Sequence, residues 1–293
     1  MTIGVARDVS DTARWVAHFR ALESERDQPL FRDPYARRLA GERGRTVAEQ
    51  MVKEPLAWSI AIRTRVFDEL ISLALREHAV HTVLNLAAGL DTRPQRLSVP
   101  SGVRWIEVDQ PGIIQPKGAL LANEPATCQL ERIALDLRNV DARRELFARV
   151  NRESSRVLVV SEGFLIYLDA QEVGSLADDL HTFFPSALWL LDVVSPDILA
   201  QLQASLAKTL EAAHAEMKFA PADGLAFFER HGFAPLIERS LLREAARLGR
   251  EMKPVSVLRW LLNVAPTLAQ RFSENPPLER NAVLYALMRQ RRR

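Results

Sequence analysis

Hydrophobic residues along the chain fall into two spacings, and the change from one to the other predicts its elements. Over positions 11–39 apolar residues recur at helical intervals (Trp15, Val16, Phe19, Leu22), with a break at Pro29. Asp33-Pro34 then reads as a helix start, Asp33 as the cap and Pro34 at the first helical position. A second helical block, 56–78, carries Ile60, Ile62, Val66, Phe67, Leu70, Ile71 and Leu75. From Thr82 onward short aliphatic runs take over. Strands are predicted at 103–109, 129–136, 156–163 and 187–194. Helices fall between them at 111–123 and 141–150, and another is capped by Asp169, because DAQE places a glutamate three residues after the cap. A helix-rich stretch covers 196–231, followed by the apolar run 233–238. Helical segments lie near 241–248 and 255–268, Pro276-Pro277 is a stop, and 281–289 is the last strand. Strands separated by helices of this length imply an α/β fold, a mostly parallel sheet with helices on both faces.

The organising stretch is TVLNLAAGLDTR, residues 82–93. Val83, Leu84 and Leu86 form a buried strand, Ala87, Ala88 and Gly89 a small-residue turn, and Asp91-Thr92 can cap a following helix. With so little side chain in the turn, a nucleoside could lie against the backbone and be held by N–H groups at the helix N-terminus. Asp109 closes the next apolar run, VRWIEVD, where a doubly wound fold places the carboxylate that accepts from ribose hydroxyls. Asp136 and Glu162 end the two runs after it. Three acids at successive strand ends beside such a turn favour a ligand with several donors. The turn is not a full GxGxxG, so close helix–strand packing is the alternative account of it.

Composition narrows the class. With 47% hydrophobic and 26% charged residues the chain has material for a substantial core. Thirty-nine Lys and Arg against 37 Asp and Glu leave a net charge of +2, which argues against a nucleic-acid partner. The basic run RQRRR at 289–293 reads as a solvated end. The single cysteine, Cys128, excludes an internal disulfide and a cysteine-built zinc site; no metal is expected, and a reducing cytoplasm is the expected location. Charged residues interrupt the first thirty positions and no apolar run reaches the ~20 residues of a span, so neither a signal peptide nor a membrane partner is expected.

Read in order, VLNLAAGLDTRPQRL, WIEVDQPGIIQPKGALL, IALDLRN and VVSEGFLIYLDAQEV resemble the four motifs of the leucine carboxyl methyltransferase family, in its bacterial branch of polyketide-type O-methyltransferases. LFRDPYARRLAG and AIRTRVFDEL resemble that family's N-terminal helices, and resemblance fades in the last third. What the resemblance implies is a class I methyltransferase fold, a doubly wound, mostly parallel seven-stranded sheet, using S-adenosyl-L-methionine to methylate a carboxyl or hydroxyl oxygen of a small molecule. By position, Asp109 matches the acid at the ribose, Asp136 and Leu137 the pair at the adenine, and Ala87 and Gly89 the lining of the methionine end. Arg63 matches the arginine that holds the cofactor carboxylate, and Glu162 the glutamate near the methionine moiety. Arg20 is a looser cationic candidate. Tyr167, in the EGxxxYL signature, is a positioning candidate bordering the cofactor or acceptor. The family's usual glycine before Ala88 is Ala87 here, a mild departure. The whole chain, 1–293, is expected to be one domain: N-terminal helical cover (1–80), cofactor-binding core (81–195), acceptor-side cover (196–280), and last strand with basic tail (281–293).

A carboxylate acceptor needs no base, whereas a phenol or enol must lose a proton, usually to histidine. None of His18, His78, His81, His181, His214 and His231 sits in a motif; His214 and His231 flank the expected acceptor cover. Arg63 and Arg65 point in different directions on their helix, and a salt bridge to Asp68 or Glu69 is the plain alternative for both. Glu162 follows four aliphatics, so it should have a cationic partner, and a ligand is favoured over a structural one. An NAD-dependent oxidoreductase shares the turn-plus-acid pattern, and a non-catalytic cofactor-binding protein of the same fold is the remaining alternative.

Overall fold

The computed structural model describes residues 9–49, 53–154, 156–212, 215–250 and 283–290. The helix expected at 255–268, the Pro276-Pro277 stop, His214 and Arg291 to Arg293 lie outside the described residues. Seven strands, β1 (Thr82–Leu86), β2 (Arg104–Asp109), β3 (Gln129–Ala134), β4 (Val157–Ser161), β5 (Leu188–Val194), β6 (Phe233–Ser240) and β7 (Val283–Gln290), form one sheet in the order β3-β2-β1-β4-β5-β7-β6. The first five pair in parallel, while β7 lies antiparallel between β5 and β6. The order reverses between β1 and β4, and such a switch opens a crevice beyond the strands' C-terminal ends.

Period-two alternation along the strands divides the core. Leu84, Leu86, Ile106, Val108, Val157 and Val159 face one side, against Leu146, Phe147 and Val150 of α6 (Val140–Glu153) and Val173, Leu176 and Leu180 of α7 (Ala170–Phe183). Val83, Trp105, Leu158, Val160 and Leu190 face the other, against Ile62, Val66, Phe67 and Leu70 of the 25-residue helix Lys53–Glu77 and Leu241 of Leu241–Arg247. The Asp169–Glu172 capping box at the start of α7 is present as the sequence indicates.

Two further helices, α1 (Val9–Ser24) and α2 (Ala36–Glu49), precede Lys53–Glu77, which is α3. A methyl group added to Gly44 would sit 2.6 Å from the Arg14 carbonyl oxygen, so α1 and α2 approach almost backbone to backbone. Asp33 does cap: its Oδ1 accepts from the Tyr35 N–H at 3.2 Å, and its carbonyl from the Ala36 N–H at 3.3 Å. Helix α2 starts at Ala36, two residues later than expected, because Pro34 is spent in the turn.

A larger correction concerns the segment after β1. The helix expected there is the single turn α4 (Arg93–Arg96); Thr92 makes no side-chain cap, and Asp91 Oδ1 accepts the Arg93 N–H at 3.0 Å. One turn offers little aligned dipole, so a ligand here would meet the small-residue turn itself rather than a helix end. The remaining helices are α5 (Pro111–Leu120), α8 (Pro196–Ala212), α9 (Ala226–Glu229) and α10 (Leu241–Arg247). Among the described residues no helix is long and apolar enough to cross a membrane.

Candidate functional site

Beyond the C-terminal ends of β1, β2, β4 and β5 lies a cavity of about 1330 Å³, roofed by α1, α3, α8 and residues 215–219. It exceeds the ~300–1,000 Å³ of single-ligand pockets, leaving room for two molecules side by side. Arg63, Ala87, Gly89, Asp109, Asp136, Leu137, Glu162 and Tyr167, singled out from the sequence, all line it, as does Arg20. Toward α1 and α8, Val16, Leu202, Leu206, Met217 and Phe219 give an apolar patch, interrupted by Gln203, Glu216 and Lys218, and the acids at the strand ends line the same cavity.

The β1 turn is tight. Ala87 (φ 51°) and Gly89 (φ 50°) both take left-handed backbone, where a glycine is at ease and an alanine strained by roughly 1–2 kcal/mol. The glycine missing at position 87 therefore matters for conformation as well as for space. The Ala88 N–H reaches the Val108 carbonyl at 3.1 Å, and the Gly89 N–H donates to Asp109 Oδ2 at 2.6 Å. Asp109 Oδ1 takes the Gln110 N–H at 2.7 Å, and each oxygen keeps a further acceptor site beside the cavity. Burial pushes the Asp109 carboxyl above its ordinary value, with the two N–H bonds and Lys117 partly offsetting it. Asp136 lies two residues past β3 at the rim, its carboxylate joined to Arg138 at 2.7 Å, which holds it below its ordinary value against a smaller effect of burial. Buried Leu137 supplies an apolar surface beside it.

Glu162 is where the sequence reading needs correcting. Its Oε1 accepts from Arg63 Nε at 3.0 Å and its Oε2 from Arg93 at 2.7 Å, so the partners sought for this carboxylate are two arginines of the chain. Arg63 also lies 3.7 Å from Asp192, and Arg93 reaches Asp68 at 2.7 Å and Asp91 at 3.1 Å. Asp68 in turn holds Arg96. Neither Asp68 nor Glu69 pairs with Arg63; Glu69 takes Arg65 at 2.9 Å instead. Burial alone would lower the proton affinity of Arg63, but Glu162 and Asp192 outweigh it and keep the guanidinium charged. Behind this chain Gly163 takes φ 61°, and its N–H donates to Asp192 Oδ1 at 2.7 Å. Arg20 spends its charge on Asp33 at 3.0 Å and bonds the Leu90 carbonyl, fastening α1 over the turn. Tyr167 borders the cavity between Arg63 and α1, bonded to Thr12.

Arg93, Asp91 and Asp192 were missed as site residues. Arg93 ends the organising stretch, and Asp192 is a lone acid inside the apolar strand LWLLDVV; both signals were present. Among the described residues no histidine lines the cavity. His231 pairs with Asp178 on α7 at 2.7 Å, and His181 packs edge-on against Phe233, so neither faces the space expected for the acceptor.

A seven-stranded sheet of this order, with an antiparallel β7 and acids at successive strand ends, defines a class I methyltransferase fold. Residues 13–181, more than half of the chain, match the leucine carboxyl methyltransferase family, to which this chain belongs. A candidate S-adenosyl-L-methionine-dependent methyltransferase from Frankia alni is 37% identical over 179 residues, covering 57% of this chain and 62% of that protein. One from Streptomyces coelicolor is 36% identical over 173 residues, covering 55% and 60%. The matched stretch thus spans less than two thirds of those relatives' own length. In overall shape the chain resembles a DUF574 family protein from Streptomyces avermitilis (TM-score 0.60, 13% identity, 96% of this chain and 97% of that one). It also resembles a candidate methyltransferase from Thermobifida fusca (TM-score 0.58, 17% identity, 98% and 96%). At these identities the likeness concerns the fold.

Proposed function

We propose that this chain is an S-adenosyl-L-methionine-dependent O-methyltransferase acting on a carboxyl or hydroxyl oxygen of a small molecule, a polyketide-type metabolite being the acceptor the sequence resemblance favours. One observation carries the reading: residues spread over 99 positions, from Arg63 through Ala87, Gly89, Asp109, Asp136 and Leu137 to Glu162, converge on one cavity with room for two ligands. The residues suit the cofactor. Asp109 has unused acceptor sites for a diol, Leu137 and Asp136 offer an apolar face and an acceptor for an aminated ring, and the turn at Ala87 and Gly89 admits close approach. Arg63 is the cation for a carboxylate, oriented by Glu162. When bound, the cofactor supplies a methyl group already activated by its sulfonium charge. The chain's part is to align the acceptor oxygen and exclude water, and positioning of this kind can contribute several of the roughly 7–11 kcal/mol available from proximity.

Calorimetry and thermal unfolding with S-adenosylhomocysteine and with NAD test the reading. The former at a hundredfold excess over its Kd should stabilise by about 2.7 kcal/mol and NAD should do nothing; stabilisation by NAD alone would favour the oxidoreductase reading. Asp109→Ala, which removes two charge-assisted bonds of ~1.5–3 kcal/mol each, should weaken binding about 100-fold or more. Arg63→Ala should also weaken it, and unchanged affinity in either variant contradicts that residue's role.

A further inference from the structure

Among the described residues seven carboxylates line the cavity; Glu211 and Glu216 are exposed, and the other five are not equally engaged. Asp91, Asp109, Asp136 and Glu162 have both oxygens within hydrogen-bond distance of a donor. Asp192 differs. Its Oδ1 accepts from Gly163 at 2.7 Å, but its Oδ2 lies 3.7 Å from Arg63, beyond a hydrogen bond. Asp192 stands on β5 beside β4, which Glu162 follows, and it lines the same cavity as Val16, Leu202, Leu206, Met217 and Phe219.

The groups around it argue about charge. Facing Asp192 are Arg63 from α3, Glu162 after β4, Tyr167 from the single turn Leu165–Tyr167, and Tyr285 of β7, its register partner. Two arginines, Arg63 and Arg93, thus already serve Glu162, Asp192, Asp91 and Asp68. A cofactor carboxylate adds one more anion. A second, from a carboxylic acid acceptor, would come against Asp192 and Glu162; among the described residues the other lining cations are Arg20 and Arg138, paired with Asp33 and Asp136, and the half-exposed Lys218, 3.5 Å from Glu216, whereas a neutral hydroxyl meets no such repulsion. Burial pushes the Asp192 carboxyl up, and Arg63 and the Gly163 N–H only partly offset it, the direction that makes a carboxylate a better base near neutral pH.

We propose that Asp192 takes the proton from a hydroxyl acceptor, so that the substrate is a phenol or enol on an apolar body rather than a carboxylic acid. The inference rests on the methyltransferase reading above and adds to it the acceptor class and the base. The acceptor O–H proton moves to Asp192 Oδ2, a lone pair of that oxygen forms the new O–CH3 bond, and the electron pair of the broken S–CH3 bond stays on sulfur. Asp192 then returns its proton to water.

The test uses the full chain with probes of matched shape: 2-naphthol, 2-naphthoic acid, and 4-nitrophenol as a hydroxyl that ionises unaided near neutral pH. Wild type should methylate 2-naphthol at least 10-fold faster than 2-naphthoic acid. Its rate with 2-naphthol should fall toward acid pH along a limb that is shallower and shifted for 4-nitrophenol. Asp192→Asn should lose about 100-fold or more in kcat with 2-naphthol, the usual scale for a general base. It should lose under 10-fold with 4-nitrophenol and bind S-adenosylhomocysteine within 3-fold of wild type by calorimetry. Preference for naphthoic acid, no turnover of either hydroxyl probe, or an unchanged 2-naphthol rate in Asp192→Asn overturns the proposal. So does a 10-fold loss of S-adenosylhomocysteine affinity in that variant, which would make Asp192 a support for Arg63 and Gly163. If Asp192→Asn does not fold, the wild-type probe preference and pH limbs decide alone. Failure of wild type to bind S-adenosylhomocysteine would instead sink the methyltransferase reading itself.

Discussion

Replacing Gly163 with alanine perturbs the arginine chain without replacing any charged group. The added Cβ would lie 2.8 Å from Arg63 Nη1 and 3.2 Å from its Cζ, on a residue whose φ is +61°. Backbone strain accounts for roughly 1–2 kcal/mol. Arg63 cannot swing aside freely, because Glu162 holds its Nε at 3.0 Å, and weakening one such charge-assisted bond adds about 1.5 kcal/mol. The sum, roughly 3 kcal/mol, corresponds to a fall in Tm of about 6–12 °C for a chain of this size. Gly224→Ala is the control: its φ is +57°, but nothing lies within 4 Å of the new methyl group, so it carries the strain alone. Thermal unfolding of both variants, with calorimetric titration of S-adenosylhomocysteine, separates the two effects. Gly163→Ala should be the less stable by about 1.5 kcal/mol, and it alone should lose affinity, about 10-fold. Equal Tm values and equal affinities would refute the idea that the Gly163 backbone leaves room for Arg63 to hold its position.

Two other changes probe the same wall. Burial pushes Asp91 up, but Arg93, Lys117 and Arg96 together outweigh it and hold the carboxyl well below its ordinary value. Its stabilising contribution is therefore present above the ordinary carboxylate range and is lost as pH falls through the lowered native value. Asp91→Asn should cost about 3 kcal/mol at pH 6.5 in urea unfolding, and the gap to wild type should narrow below about pH 4; a gap independent of pH contradicts the ion-pair account. Ala87→Gly relieves the left-handed strain of roughly 1–2 kcal/mol while loosening the unfolded chain by about 0.4–1 kcal/mol. Its Tm should stay level or rise by a few degrees, and a clear fall would mean that the methyl group packs in a way that outweighs its backbone.

Much of this molecule was legible in one dimension, because local chemistry decides it. The aliphatic runs became β1 to β5 with no end displaced by more than two residues, since alternation and turn residues act between neighbours. The Asp169 capping box and the Asp33 cap were readable for the same reason, as was Asp109 at the end of β2. Where a nearby rule competed with a tertiary one, it lost: Asp91-Thr92 looked like the cap of a full helix, but Arg93 is drawn inward to Asp68 and Glu162, and the helix ends after one turn.

What the sequence by itself determined is therefore the set of strands and helices, the small-residue turn, and the acids waiting at strand ends. Only the tertiary structure decided that β7 enters antiparallel between β5 and β6, because an alternating strand pairs equally well in either direction and its partners lie far away along the chain. It also decided who answers whom among the charges. Glu162 meets Arg63 and Arg93 across 99 and 69 residues, and Asp192 comes to rest beside them with one oxygen 3.7 Å from Arg63, beyond a hydrogen bond. Such pairings depend on distance and burial in space, and residue order carries neither.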